Sequence, residues 1–173
     1  MMYCHNKANS SGFSLIEVLV TVAIVSFGLM GLISLMLKSL QANATSGLRT
    51  MAVAQAYDMA DRMRANMAGI KDGSYNAIVP PGSSSTCPIN INGNVGVATS
   101  TLGSCGACTS ACTAAQIAQR DACIWHEQNS KLLPKGSGAV CKDGSSSWYA
   151  ISISWDENKG GTPNKTFILR FEP

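Results

Sequence analysis

Twenty consecutive residues, Val18 to Leu37, carry no charge. Wound as a helix they span about 30 Å, the thickness of a bilayer's hydrocarbon core. A core helix of a soluble fold is rarely apolar around its whole circumference for so long, so the segment is read as membrane-inserted. A secretory signal would have a shorter apolar run, about 7–15 residues, followed by a small-x-small cleavage site. Gly31 to Ser39 offers only a poor one. Lys7 before the run and Lys38 after it pull the orientation in opposite senses. The side of the membrane is therefore argued from the cysteines that follow.

There are seven of these in 173 residues, many for a reducing compartment, which places the body of the chain outside the cytoplasm. The length suits one domain with a real core. Only 13% of residues are charged, and the net charge of +3 is spread without a Lys/Arg run, which excludes a nucleic-acid binder. Three regions follow: a polar head at 1–12, a transmembrane helix at 13–37, and an extracytoplasmic body at 38–173.

Glu17 does not suit a plain anchor. An ionised carboxylate costs roughly 2–3 kcal/mol or more near the membrane centre. Either it lies at the interface and stays wet, or a partner supplies a cation. Cutting the chain between Gly12 and Phe13 would create an α-amine four residues before Glu17. Such an amine and carboxylate, paired between staggered neighbouring helices, select one register, because misregister leaves both charges unpaired.

Gly12-Phe13-Ser14-Leu15-Ile16-Glu17-Val18-Leu19-Val20 resembles the processing motif of type IV prepilins and pseudopilins. The resemblance implies that a membrane peptidase cuts after Gly12 and methylates the new N-terminal Phe13, and that Glu17 directs filament assembly. Unlike many major pilins, this chain has no proline between Phe13 and Val79. Gly28 and Gly31 are the weak points of the helix, each costing about 1 kcal/mol relative to Ala.

Beyond Lys38 the pattern turns amphipathic. Leu48, Ala52, Ala56, Met59, Ala60, Met63 and Met67 form a stripe for a domain to pack on, and a helix from Phe13 to Ala68 is expected. Asp58 with Arg62, and Asp61 with Arg64, have helical pair spacing. Gly69 and Lys71-Asp72-Gly73 make the stop. Residues 74–112 are turn-rich, hold four cysteines, and suggest one short strand near Val95–Ala98. Thr113 to Gln116 is a capping-box pattern opening a helix to about Ser130, with Ile117, Ile124 and Trp125 inward. Strands are expected at Gly138–Lys142, Trp148–Trp155 and Lys165–Phe171, the last two joined as a hairpin through 156–164. The fold class is α+β: a pilin-like long helix, transmembrane then amphipathic, a disulfide-rich loop, and an antiparallel sheet laid on the spine.

Asp121…Trp125…Leu132-Leu133-Pro134-x-Gly136-x-Gly138-x-Val140, then Tyr149-x-Ile151-x-Ile153-x-Trp155, resembles the minor pilin family called PilV. That resemblance implies a low-abundance pilus component, associated with other minor pilins and a large tip adhesin in a complex that primes assembly. Residues 74–112 match neither pattern.

Loss of the head would remove Cys4, leaving Cys87, Cys105, Cys108, Cys112, Cys123 and Cys141, an even number that permits three disulfides in 15 connectivities. The pairing stays open. Cys105-x-x-Cys108 also invites zinc, with Cys112, Cys123 and His126, but the spacing fits no standard module. As a redox pair it should open a helix after a strand, and its surroundings are Gly, Ala, Ser and Thr. Structural disulfides are the reading taken. His126 is read as a solvated surface residue, and Trp125, Trp148 and Trp155 as core or interface. With no nucleophile beside His126, no paired carboxylates and no phosphate loop, a non-enzyme without cofactor or metal is expected.

The resulting expectation is a minor pilin of a type IV pilus, serving biogenesis, adhesion and twitching motility. Its partners would be the prepilin peptidase/methyltransferase, other minor and major pilins, and a tip adhesin. It would sit in the inner membrane with a periplasmic head, then in the pilus. The alternatives are a minor pseudopilin of type II secretion, and a membrane-anchored periplasmic disulfide or metal protein.

Overall fold

The computed structural model describes residues 12–80, 105, 111–144, 146–158 and 160–173. The chain divides into two compact units, the first ending at Ala44 and the second running from Thr45 to Pro173. The elements are α1 (Leu15–Ala65), α2 (Met67–Lys71), β1 (Ala77–Ile78), α3 (Ala114–Leu132), β2 (Ser137–Lys142), β3 (Tyr149–Trp155) and β4 (Lys165–Phe171). The strands form one antiparallel sheet in the order β1-β2-β3-β4. This is the α+β, pilin-like arrangement of a long apolar N-terminal helix and a four-stranded sheet.

In the first unit every described residue is exposed. α1 passes through Gly28 and Gly31 without a break. From Thr45 onward the same helix acquires a buried stripe: Ala52, Ala56, Met59, Ala60 and Met63, at intervals of three and four residues. These meet Trp125 from α3 and Val140, Ile151, Ile153, Trp155 and Phe171 from the sheet in one core. The indole N–H of Trp125 donates to the Gln55 carbonyl at 2.8 Å, which fixes the largest core side chain against α1.

α1 stops three residues earlier than the sequence suggests. Asn66 leaves helical geometry (φ −117°, ψ 60°) and its side-chain oxygen accepts the Gly69 N–H at 3.2 Å, starting α2 in a new direction. Met67 therefore falls off the buried stripe and is 42% exposed, a correction to its expected core role. The Asp58–Arg62 and Asp61–Arg64 pairs close at 2.8 and 2.9 Å.

α3 opens with a complete capping box. Gln116 N donates to Thr113 Oγ1 at 3.3 Å, and Thr113 N donates to Gln116 Oε1 at 2.9 Å. Its inner face is rotated from the expected one. Ala118, Ala122, Trp125 and Asn129 are buried, whereas Ile117 and Ile124 are only half-buried. The Trp125–Gln55 bond sets that rotation, and small alanines on either side let the helix sit close.

Two glycines carry the approach of α3 to β2. A Cβ on Gly136 would stand inside the backbone oxygen of Asn129, and one on Gly138 inside the Trp125 ring. β1 was not expected. It is two residues long and pairs Ala77 with Cys141 and Ile78 with Val140. Its sequence has no alternation to announce it. The proposed strand near Val95–Ala98 lies outside the described residues.

In β3 the expected face, Tyr149, Ile151, Ile153 and Trp155, is buried, but so are Ala150 and Ser152 behind it. The β3–β4 hairpin is organised by the buried Asp156. Its carboxylate accepts from Asn158 N at 3.0 Å, Gly161 N at 2.6 Å and Asn164 Nδ2 at 3.3 Å. Gly161 supplies the positive φ of +89° that this turn requires.

Candidate functional site

The residues singled out for processing and assembly lie at the start of α1. Gly12, Phe13 and Ser14 precede the helix, and the Ser14 carbonyl accepts the Glu17 N–H at 3.0 Å and the Val18 N–H at 3.3 Å. Glu17 thus sits in the first turn, where a carboxylate faces the positive end of the helix dipole. Among the described residues its side chain has no ion-pair partner. Phe13 is 82% exposed.

A Cβ on Gly12 would meet nothing within 4 Å, and the same holds for Gly28 and Gly31. Among the described residues, packing therefore places no demand for glycine at any of the three.

The remainder of the segment is built for an apolar medium. Leu19, Phe27 and Met36, among many others, are more than half exposed. The three polar side chains between Val18 and Leu37 all bond back to their own helix: Thr21 Oγ1 to Val18 O at 2.9 Å, Ser26 Oγ to Val22 O at 2.7 Å, and Ser34 Oγ to Gly31 O at 2.8 Å. With hydroxyls satisfied internally, the helix offers hydrocarbon no unpaired side-chain donor. It is long and apolar enough to cross a membrane. So large an exposed apolar surface marks a membrane or protein contact.

Two described cysteines belong to α3 or its start, Cys123 within it and Cys112 just before it. Cys105 is bonded to Cys123, with their Cα atoms 5.5 Å apart and a sequence separation of 18. Cys112 and Cys141 are also disulfide-bonded. Cys87 and Cys108 lie outside the described residues. In this state Cys105 is committed to α3, so it does not serve with Cys108 as a CxxC redox or zinc pair.

His126 corrects the expectation of a solvated residue. It is 8% exposed, its Nε2 has no hydrogen-bond partner among the described residues, and burial pulls its pKa down to about 4, opposed by a hydrogen bond with the backbone of Val79. It is a neutral core histidine at pH 7. The adjacent Trp125 hid this: the buried face of α3 is wide enough to include consecutive residues 125 and 126.

A second polar cluster was not anticipated. Tyr75 Oη donates to Asp121 Oδ2 at 2.7 Å, and Asn66 Nδ2 lies 3.2 Å from the same Tyr75 oxygen and 2.8 Å from the Ala114 carbonyl. Arg62 Nη1 reaches Asp121 at 3.5 Å. Burial first, and then the bond to Asp121, raise the Tyr75 pKa above that of an ordinary phenol. Every member is bonded to another, so the cluster reads as a staple joining α1, α2 and α3. Only Asp121, within the PilV-like pattern, gave a sequence signal for it.

Against known proteins, the family described as the prokaryotic N-terminal methylation motif matches residues 7–33. That span includes Gly12, Phe13, Glu17 and the bare apolar helix through Ile33. No curated protein and no solved structure matches the chain.

Proposed function

We propose that this chain, whose N-terminal methylation motif marks it as a type IV pilin or pseudopilin family protein, is a minor pilin of a type IV pilus. The family is one of structural, generally non-enzymatic proteins, and its motif implies processing by a prepilin peptidase. In this reading residues 1–12 are the leader. The peptidase cuts between Gly12 and Phe13 and methylates the Phe13 amine, residues 13–37 anchor the precursor in the inner membrane, and 38–173 include the periplasmic head. On assembly Glu17 receives the N-terminal ammonium of a neighbouring subunit. Leaving either charge unpaired in an apolar filament core costs several kcal/mol, so the pair fixes the stagger of the helices.

The observation that carries this reading is the contrast within α1. Gly12, Phe13 and Glu17 stand together on a helix start with no internal packing role, and the helix beyond them is bare up to Ala44. Six cysteines, Cys87, Cys105, Cys108, Cys112, Cys123 and Cys141, would brace the loop-rich head in an oxidising compartment. The PilV-like reading draws on pattern residues that hold α3 in the second unit. Trp125 fills the core, Asp121 anchors the staple, and Gly136 and Gly138 permit close approach. Partners are then other minor and major pilins and a tip adhesin.

The test is Glu17→Ala in the producing cell. The variant should be processed normally and keep a folded head, yet be missing from sheared pili. Recovery at the normal level would refute the assembly role. Deletion of the chain separates the nearest alternative: lost pili support the pilus, whereas lost protein secretion with intact pili assigns a minor pseudopilin of type II secretion.

A further inference from the structure

The two outer strands of the sheet are unlike. β1 is two residues long and is followed at once by Val79-Pro80, which limits further pairing on that side. β4 is seven residues long, has β3 as its one neighbour in the sheet among the described residues, and exposes Lys165, Thr166, Ile168 and Arg170. A long outer strand presents a row of backbone N–H and C=O groups to any extended chain of matching pattern. β4 has no proline to interrupt pairing, and its charges are confined to Lys165 near one end and Arg170 near the other.

A hollow of about 360 Å³ lies beside the first half of this strand, lined by Arg49, Val53, Trp155, Lys165, Thr166 and Phe167. Val53, Trp155 and Phe167 make its apolar wall. Arg49 and Lys165 are cations of the rim, and they share a single carboxylate, Glu157, each at 3.6 Å. Two cations against one anion leave the hollow net positive. The Trp155 indole N–H is buried and has no acceptor among the described residues. Trp155 pairs in register with Lys165, and Ile153 with Phe167, so these four residues share the helix-facing side of the sheet. A strand added along β4 would carry its own helix-facing side chains over the mouth of the hollow.

We infer that β4 and this hollow form an acceptor site for an extended segment of another polypeptide, which adds as a fifth strand and places an apolar residue and, two positions away, an acidic residue on the helix-facing side. The apolar side chain covers Phe167 and Val53, and the carboxylate meets Arg49 and Lys165. Backbone pairing supplies affinity and the rim charges supply selectivity. The inference goes beyond the filament reading and does not depend on it, since every residue used lies in the second unit.

The test uses the full chain in detergent micelles and an acetylated, amidated heptapeptide, Thr-Val-Thr-Glu-Thr-Val-Thr, with a second peptide carrying Lys in place of Glu. Amide hydrogen exchange is followed along β4. The acidic peptide should slow exchange at alternate β4 residues, and the Lys peptide should bind about tenfold more weakly. In Arg49→Gln/Lys165→Gln, with circular dichroism confirming the fold, that preference should vanish or invert. Unchanged β4 exchange at millimolar peptide would overturn the inference. So would equal affinity for the two peptides, or β4 protection that rises with the concentration of the chain alone, which would assign the edge to a second copy.

Discussion

A side chain added at Gly12, Gly28 or Gly31 would meet nothing within 4 Å, whereas one added at Gly136 or Gly138 would overlap Asn129 or Trp125. The five glycines mark two regions under different constraints. From Thr45 to the C-terminus, the reasons for a residue lie inside the chain: a core to fill, a helix to bring close, a buried polar group to satisfy. From Gly12 to Ala44 the described residues bury nothing, so packing among the described residues does not account for their identity. A membrane accounts for the apolar run and its back-bonded hydroxyls. In the proposed reading, a processing enzyme and a neighbouring helix account for Gly12, Phe13 and Glu17.

The sharpest way to break this contrast is to empty the core. Trp125→Ala removes a fully buried ring and its bond to Gln55, and should cost the second unit about 3–5 kcal/mol. Thermal or urea unfolding of the full chain reads the loss. Membrane insertion and cleavage of the N-terminal segment should continue in the destabilised protein, since they draw on α1 alone. A variant with normal stability would mean that Trp125 does not organise the core.

Acid offers a milder test. The His126 pKa, about 4, lies below the ordinary 6.5, so the folded state holds this proton less tightly than the unfolded one. The stability contributed by neutral His126 is complete above pH 6.5 and is lost progressively as pH falls toward 4. The full loss is about 3 kcal/mol. Acid acts on the whole chain, so the quantity to compare is the difference between the chain and His126→Gln in melting temperature from pH 7 to 4.5. The native chain should fall further. Parallel curves would place His126 in water.

The smallest effects come from the glycines. Gly138→Ala should destabilise the second unit by about 1–3 kcal/mol, because the Trp125 ring must move. Gly28→Ala should leave the melting of that unit unchanged. If both variants melt alike, the distinction between inner and outer demands fails.

The legible parts of the sequence were those where local pattern and tertiary environment agree. β4 runs from Lys165 to Phe171 as its alternation indicates, and Thr113 and Gln116 form the capping box their spacing suggests. The buried stripe of α1 from Ala52 to Met63 follows its period. The parts that escaped depend on distant neighbours. β1 exists because Cys141 and Val140 are there to pair with it, not because two residues can declare a strand. The rotation of α3, which half-exposes Ile117 and Ile124, is set by a carbonyl 70 residues away at Gln55. Met67 lost its place because the Asn66 side chain captured Gly69 N–H, a local competition that period counting does not see. At the candidate site the situation is reversed. Gly12, Phe13 and Glu17 fall within the matched N-terminal methylation motif, a local sequence pattern, and among the described residues no packing partner accounts for Gly12.

The most direct test of the account is the intact mass of the membrane-extracted chain, made with and without its cognate prepilin peptidase. The account predicts loss of residues 1–12 and gain of one methyl group only when the peptidase is present, with Gly12→Glu blocking both changes while the second unit melts as before. An uncut, unmethylated chain under both conditions would contradict it, leave Glu17 as a wet residue at the membrane surface, and favour a simply anchored disulfide protein.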